Sequence, residues 1–151
     1  MDAVTYLDDN VALFLNTSVI PVRLQFNAKP YAKDFNVTWT LTFVTLYENG
    51  KEHYRTVGFL SAAELVPSLL MGIAKVYFDL GRLEEALAAM ERILADYPRS
   101  KAAPEAVFHR GIARYKSTHD PKQLRAAYDK LTADYPSSDW ADRAQPYRLI
   151  Q

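Results

Sequence analysis

The tetrapeptide Ala95-Asp96-Tyr97-Pro98 returns unchanged as Ala133-Asp134-Tyr135-Pro136, 38 positions later. Each copy closes a stretch whose apolar residues recur at helical spacing. Ala86, Leu87, Met90, Ile93 and Leu94 precede the first; Leu124, Tyr128 and Leu131 precede the second. A chain that repeats at this period folds as stacked helical hairpins, because one hairpin cannot bury its own apolar stripe and needs a neighbour to cover it.

From Ser61 onward the pattern is helical throughout. Ser61-Ala62-Ala63-Glu64 reads as a capping box opening a helix that carries Leu65, Leu69, Ile73 and Tyr77 to Gly81. A second helix starts near Leu83-Glu84-Glu85, a further pair covers about 103–115 and 121–135, and a short last helix spans 140–147. The first 60 residues follow another grammar. Asp8-Asp9 predicts the cap of a short helix through Val11 to Leu15. Residues 19–26 alternate, with Ile20, Val22, Leu24 and Phe26 on one face, which predicts a half-buried strand. A short helix is expected through Tyr31 to Phe35. Residues 40–46 and 53–58 then flank Asn49-Gly50, the pattern of a β-hairpin whose turn residues tolerate positive φ. The fold class expected is α+β: a three-stranded sheet in 1–60, followed by a helical array in 61–151 of two hairpins plus a short final helix. The helix from Ser61 is shared by both parts.

Composition narrows the function. Eighteen basic side chains balance eighteen acidic ones without a block of either sign, so the charge footprint of a nucleic-acid binder is missing. No cysteine is present, which removes thiol catalysis, disulfides and cysteine metal sites. His53, His109 and His119 each lack a second ligand or base at usable spacing, and the five glycines form no phosphate loop. Glu84-Glu85 complements a helix dipole. Catalytic residues, a metal and a cofactor are therefore not expected. Met1-Asp2-Ala3 opens no basic-then-apolar leader and no apolar run is long enough to span a bilayer, so the expectation is a cytoplasmic protein without membrane contact. Tyr77, Tyr97, Tyr115, Tyr128 and Tyr135 recur at seam positions, where they either pack as core or offer stacking surfaces.

Ile73, Ala74, Tyr77, Gly81, Leu83, Ala86, Met90, Ile93 and Pro98 fall in the register of the tetratricopeptide repeat, and the chain resembles that family over about 66–150. The second copy is looser: Gly111, Ile112, Tyr115, Leu124, Tyr128, Leu131 and Pro136 match, with Thr118-His119-Asp120-Pro121 replacing the tight glycine turn. The resemblance implies a concave face lined by the first helix of each pair. On it would lie Lys75, Phe78, His109, Ala113 and Lys116, the two lysines placed to meet a carboxylate of a protein or peptide partner.

The first half resembles the later part of the thioredoxin fold, in the order strand, short helix, strand, Asn-Gly turn, strand, glycine, helix. Residues 1–6 resemble the helix that follows that family's Cys-x-x-Cys motif, and Leu41 in Trp39-Thr40-Leu41-Thr42 stands where its cis-proline would be. The resemblance implies a central strand that this chain does not supply. The flanking strands would then close on each other, accept a strand from a partner or second copy, or belong to a longer product. The functional expectation is a non-catalytic interaction module, binding through the helical groove or an open sheet edge and able to self-associate. The alternative is a truncated thiol–disulfide oxidoreductase with its redox motif upstream of Met1.

Overall fold

A computed structural model describes residues 1, 4–25 and 27–151. Their elements run in order α1 (Asp9–Ser18), α2 (Tyr31–Asp34), β1 (Thr42–Leu46), β2 (Glu52–Val57), α3 (Ala62–Asp79), α4 (Leu83–Asp96), α5 (Ala102–Thr118), α6 (Lys122–Asp134) and α7 (Asp139–Arg143). A 3-10 turn at Gln145–Leu149 closes the chain.

The repeated tetrapeptide builds the same structure twice. Tyr97 and Tyr135 end α4 and α6 with near-identical backbone angles, φ −132° and ψ 48° against φ −137° and ψ 49°. Their amides donate to Ile93 O and Leu131 O, both at 2.9 Å. Three residues on, Ser100 and Ser138 donate their hydroxyls back to the tyrosine carbonyls, each at 2.8 Å. These bonds satisfy acceptors that a helix end leaves open. The Tyr135 hydroxyl then donates to Pro98 O at 2.8 Å, tying the second closure to the first.

Successive helices pack on one another, and α5 also touches α3 and α7, so α3, α5 and α7 form one row with α4 and α6 beside it. The seams close because small residues stand where axes meet. Ala74 and Ala86 are fully buried between α3 and α4, and Gly111 on α5 faces Ala127 Cβ and Gln123 O on α6 with no room for a methyl group. Leu65, Met71, Met90 and Ile93 fill the main core, and Leu131 with Val107 a smaller one. Each such side chain contributes roughly 1.5–3 kcal/mol on burial. Surface ion pairs such as Arg125–Asp129 and Lys130–Asp134 contribute roughly 0–1 kcal/mol, so the seams decide the stability of the array. Gly81 makes the α3–α4 turn at φ +76°, in the left-handed region.

The capping box expected at Ser61 does not form, since the Ser61 side chain makes no cap hydrogen bond. Glu64 instead accepts from the amide of Lys101 at 3.0 Å, placing its carboxylate at the start of α5 where a helix favours negative charge. Upstream, Asp8 caps α1 through the amides of Asn10 and Val11, and Val11 and Phe14 join the main core. The hairpin forms with one correction to its turn. Of the two turn residues only Gly50 has positive φ; Gly50 N donates to Tyr47 O and Tyr47 N donates to Lys51 O, with a register shift between Thr45 and Leu46. The peptide bonds Lys29–Pro30 and Thr40–Leu41 are cis.

Among the described residues the expected third strand does not form. The sheet has two strands, β1 and β2, paired antiparallel, and residues 19–25 belong to no ladder; Phe26 lies outside the described residues, as do Asp2 and Ala3 of the expected first helix. The alternation there is real, but Ile20 is 92% and Val22 75% exposed: no sheet face is available to bury them, and Pro21 has no amide to donate. The partial thioredoxin-like sheet is therefore not formed.

The hairpin lies on α3 instead. Phe43 and Tyr54 pack on the main core, His53 Nδ1 lies 2.8 Å from Asp79 Oδ2, and the hydroxyls of Thr56 and Ser68 meet at 2.9 Å. This approach requires Gly72, since a Cβ there would overlap the Thr45 hydroxyl. Gly72→Ala is expected to destabilise the protein by about 1–3 kcal/mol, and Gly72→Ala combined with Thr45→Ala to recover part of the loss. Urea melts of the two variants check this; equal stabilities for wild type and Gly72→Ala would contradict the packing.

Candidate docking groove

The row of α3, α5 and α7 brings charged and aromatic side chains to one surface. Phe78 on α3 is its centre. Lys116 Nζ from α5 stands 4.5 Å from the Phe78 ring centroid, Lys75 Nζ from the preceding turn of α3 stands 5.8 Å away, and the His109 ring lies at 6.2 Å. Such distances allow the ring's negative face to attract each ammonium. The four residues that repeat phase places on the concave face thus meet around one ring. Ala113 does not join them: it is fully buried, its methyl group too short to reach out of the packed helix.

The surface extends further than the sequence indicated. His109 packs edge-on against Trp140 of α7 at 5.3 Å and against Phe108 at 5.5 Å, and the Arg143 guanidinium covers Trp140 at 4.9 Å. Phe108 stacks on Tyr147 at 5.8 Å. Glu105, one helical turn before His109, has Oε1 3.8 Å from His109 Nε2 and accepts a hydrogen bond from the Tyr54 hydroxyl at 3.0 Å. The hairpin therefore reaches this cluster through the Tyr54 hydroxyl. The 38-residue period held a signal for two of these positions, since it carries Glu105 onto Arg143 and His109 onto Tyr147. Nothing in the sequence foretold the Tyr54–Glu105 contact, which joins residues 51 positions apart.

The charges are unevenly compensated. Lys75, Lys116 and Arg143 form no ion pair among the described residues, whereas Arg110 and Arg114 share Glu91 and Arg55 holds Glu52. Glu105 lies in the same cluster, and burial pushes its carboxyl above the usual range against the pull of Tyr54, Lys75 and Arg143. Burial also pushes the Tyr54 hydroxyl up, helped by the neighbouring Glu105 charge. His109 moves the other way, down to about 4, because desolvation and then Lys75 disfavour a second positive charge. The cluster thus gathers three cations that form no ion pair among the described residues beside an imidazole that is neutral at neutral pH. Among the described residues, no group of three or more His, Asp or Glu side chains could hold a metal ion, and no helix is long and apolar enough to cross a membrane.

The burial of His109 has a consequence for stability. Its unfolded value, 6.5, lies above its folded value of about 4, so the unfolded chain takes the proton first. The contribution of neutral His109 is complete above pH 6.5 and is lost as pH falls toward 4, by about 3 kcal/mol at most. Glu105, raised in the fold, acts with the opposite sign and loses contribution as pH rises above the ordinary carboxyl range. Between pH 7 and 5 the wild type is expected to lose about 2 kcal/mol more than His109→Gln, measured by urea melts at both values. Equal losses would contradict a buried neutral imidazole.

Residues 68–100, from the middle of α3 to the serine after the first Tyr-Pro closure, match the family model of the tetratricopeptide repeat. No curated protein and no solved structure matches the chain, and none of these comparisons supports a thioredoxin relationship. The matched stretch covers most of α3 and all of α4, the first hairpin of the array.

Proposed function

We infer that this chain is a non-catalytic protein-interaction module that holds an extended peptide segment of its partner in the groove. The observation that carries the reading is the set of cations Lys75, Lys116 and Arg143, unpaired among the described residues and gathered around Phe78 and Trp140. Elsewhere on this electrically neutral chain most arginines have an acid beside them, so positive charge left over on the concave face suits a segment bearing carboxylates, at side chains or at its end. Phe78, half-buried between two ammonium groups, supplies apolar contact, and His109 remains neutral so that it adds a polar edge without charge. The match to the tetratricopeptide repeat supports the same reading, because stacked helical repeats present concave surfaces of this kind for binding. Residues 1–60 serve as the amino-terminal cap of the array in 61–151, and α7 with its following turn as the other cap.

Fluorescence polarisation with labelled acidic peptides, with free or amidated carboxyl ends, tests the proposal. Binding should weaken with salt, and Lys75→Ala with Lys116→Ala should lower affinity roughly tenfold, in keeping with the loss of two charge-assisted contacts. Phe78→Ala should lower it without changing the salt dependence. Peptides bound equally by wild type and the double lysine variant would refute the groove as the site.

A further inference from the structure

Apolar side chains left in solvent are unevenly placed. Among the described residues, all the large ones lie in the first 60 positions except Leu80, Tyr115 and Leu149. β1 lies among them. It pairs with β2 alone, and among the described residues no other backbone hydrogen bond reaches Thr42–Leu46. One side of β1 is thus a row of amides and carbonyls without a strand beside it.

A strand that works as an edge is ordinarily protected by outward charge, by proline or by a bulge. β1 has little of this. Residues 39–46 contain no Lys, Arg, Asp, Glu or Pro, and the register shift comes only at the turn end, between Thr45 and Leu46. Trp39 and Leu41, which lead into the strand, are exposed. Phe43 and Thr45 are turned to α3, as the Phe43 core contact and the Gly72–Thr45 approach require, so Thr42 and Val44 lie on the other face.

We propose that β1 pairs with β1 of a second copy, antiparallel about a two-fold axis at Val44, making one four-stranded sheet in the order β2–β1–β1–β2. The occupant follows from charge. Self-pairing sets Val44 against Val44, Phe43 against Thr45 and Thr42 against Leu46, so no like charges meet across the axis. A two-fold contact also needs one self-complementary patch, which a neutral five-residue strand is. The chain's net charge of zero offers no long-range repulsion between copies. A charged foreign strand would find no complementary charge in residues 39–46. This inference rests on the sheet edge and stands apart from the groove.

Light scattering on the purified chain at micromolar concentrations should give twice the 17.2 kDa chain mass. Val44→Lys and Val44→Glu should each run as monomers with the wild-type helical melting transition, and mixing the two should restore the doubled mass. If the Val44 variants do not fold, Thr42→Lys makes the same test on the same face. Hydrogen exchange of the β1 amides should slow as wild-type concentration rises. A wild-type monomer would overturn the proposal, including a monomer whose β1 amides are protected by some other segment. A dimer that both Val44 variants leave intact would overturn it as well.

Discussion

The close approach of the hairpin and α4 to one helix, α3, is the constraint on which the rest depends. α3 receives the hairpin on one side, at Gly72, and α4 on another, at Ala74, while α1 and α5 lean on it as well. The contacts at Gly72 and Ala74 leave no space for a larger side chain, since packed interiors have few voids to absorb an added methylene. α3 is also where Lys75 and Phe78 stand. The placing of these two side chains therefore follows from the packing behind them.

Polar contacts refine this arrangement. His53–Asp79, Tyr54–Glu105 and Thr56–Ser68 run from β2 to α3 and α5, and each engages a group that would cost about 1–3 kcal/mol if buried without a partner. They fix the hairpin's angle on the array more than they add net stability. Tyr54 in particular donates to Glu105 in a buried site, where burial raises the carboxyl while Tyr54, Lys75 and Arg143 pull it down. A strand from the first half of the chain thus sets the electrostatics of a surface built mainly by the second.

Much of this was legible in the residues, for identifiable reasons. The Tyr-Pro repeat specified two equivalent helix ends because the same backbone bonds to Ile93 and Leu131 follow from the same local sequence. Asp8 and the Asn-Gly turn were readable because caps and tight turns are decided within four residues. Repeat phase brought Lys75, Phe78, His109 and Lys116 to one place. What failed depended on neighbours distant in sequence. The alternation of residues 19–25 predicts a strand only if a sheet face exists to cover it, and none does. The Ser61 box lost Glu64 to Lys101, 37 residues away. Ala113 followed the helical period correctly but is too short to leave the packed interior.

If α3 truly joins hairpin and array into one body, the two must open together. Native-state hydrogen exchange measured against denaturant reads this directly, amide by amide. The slowest amides of β2, α3 and α5 should converge on a single opening free energy equal to that of global unfolding. A β2 that opens at a distinctly lower free energy, with α3 and α5 still protected, would contradict the account.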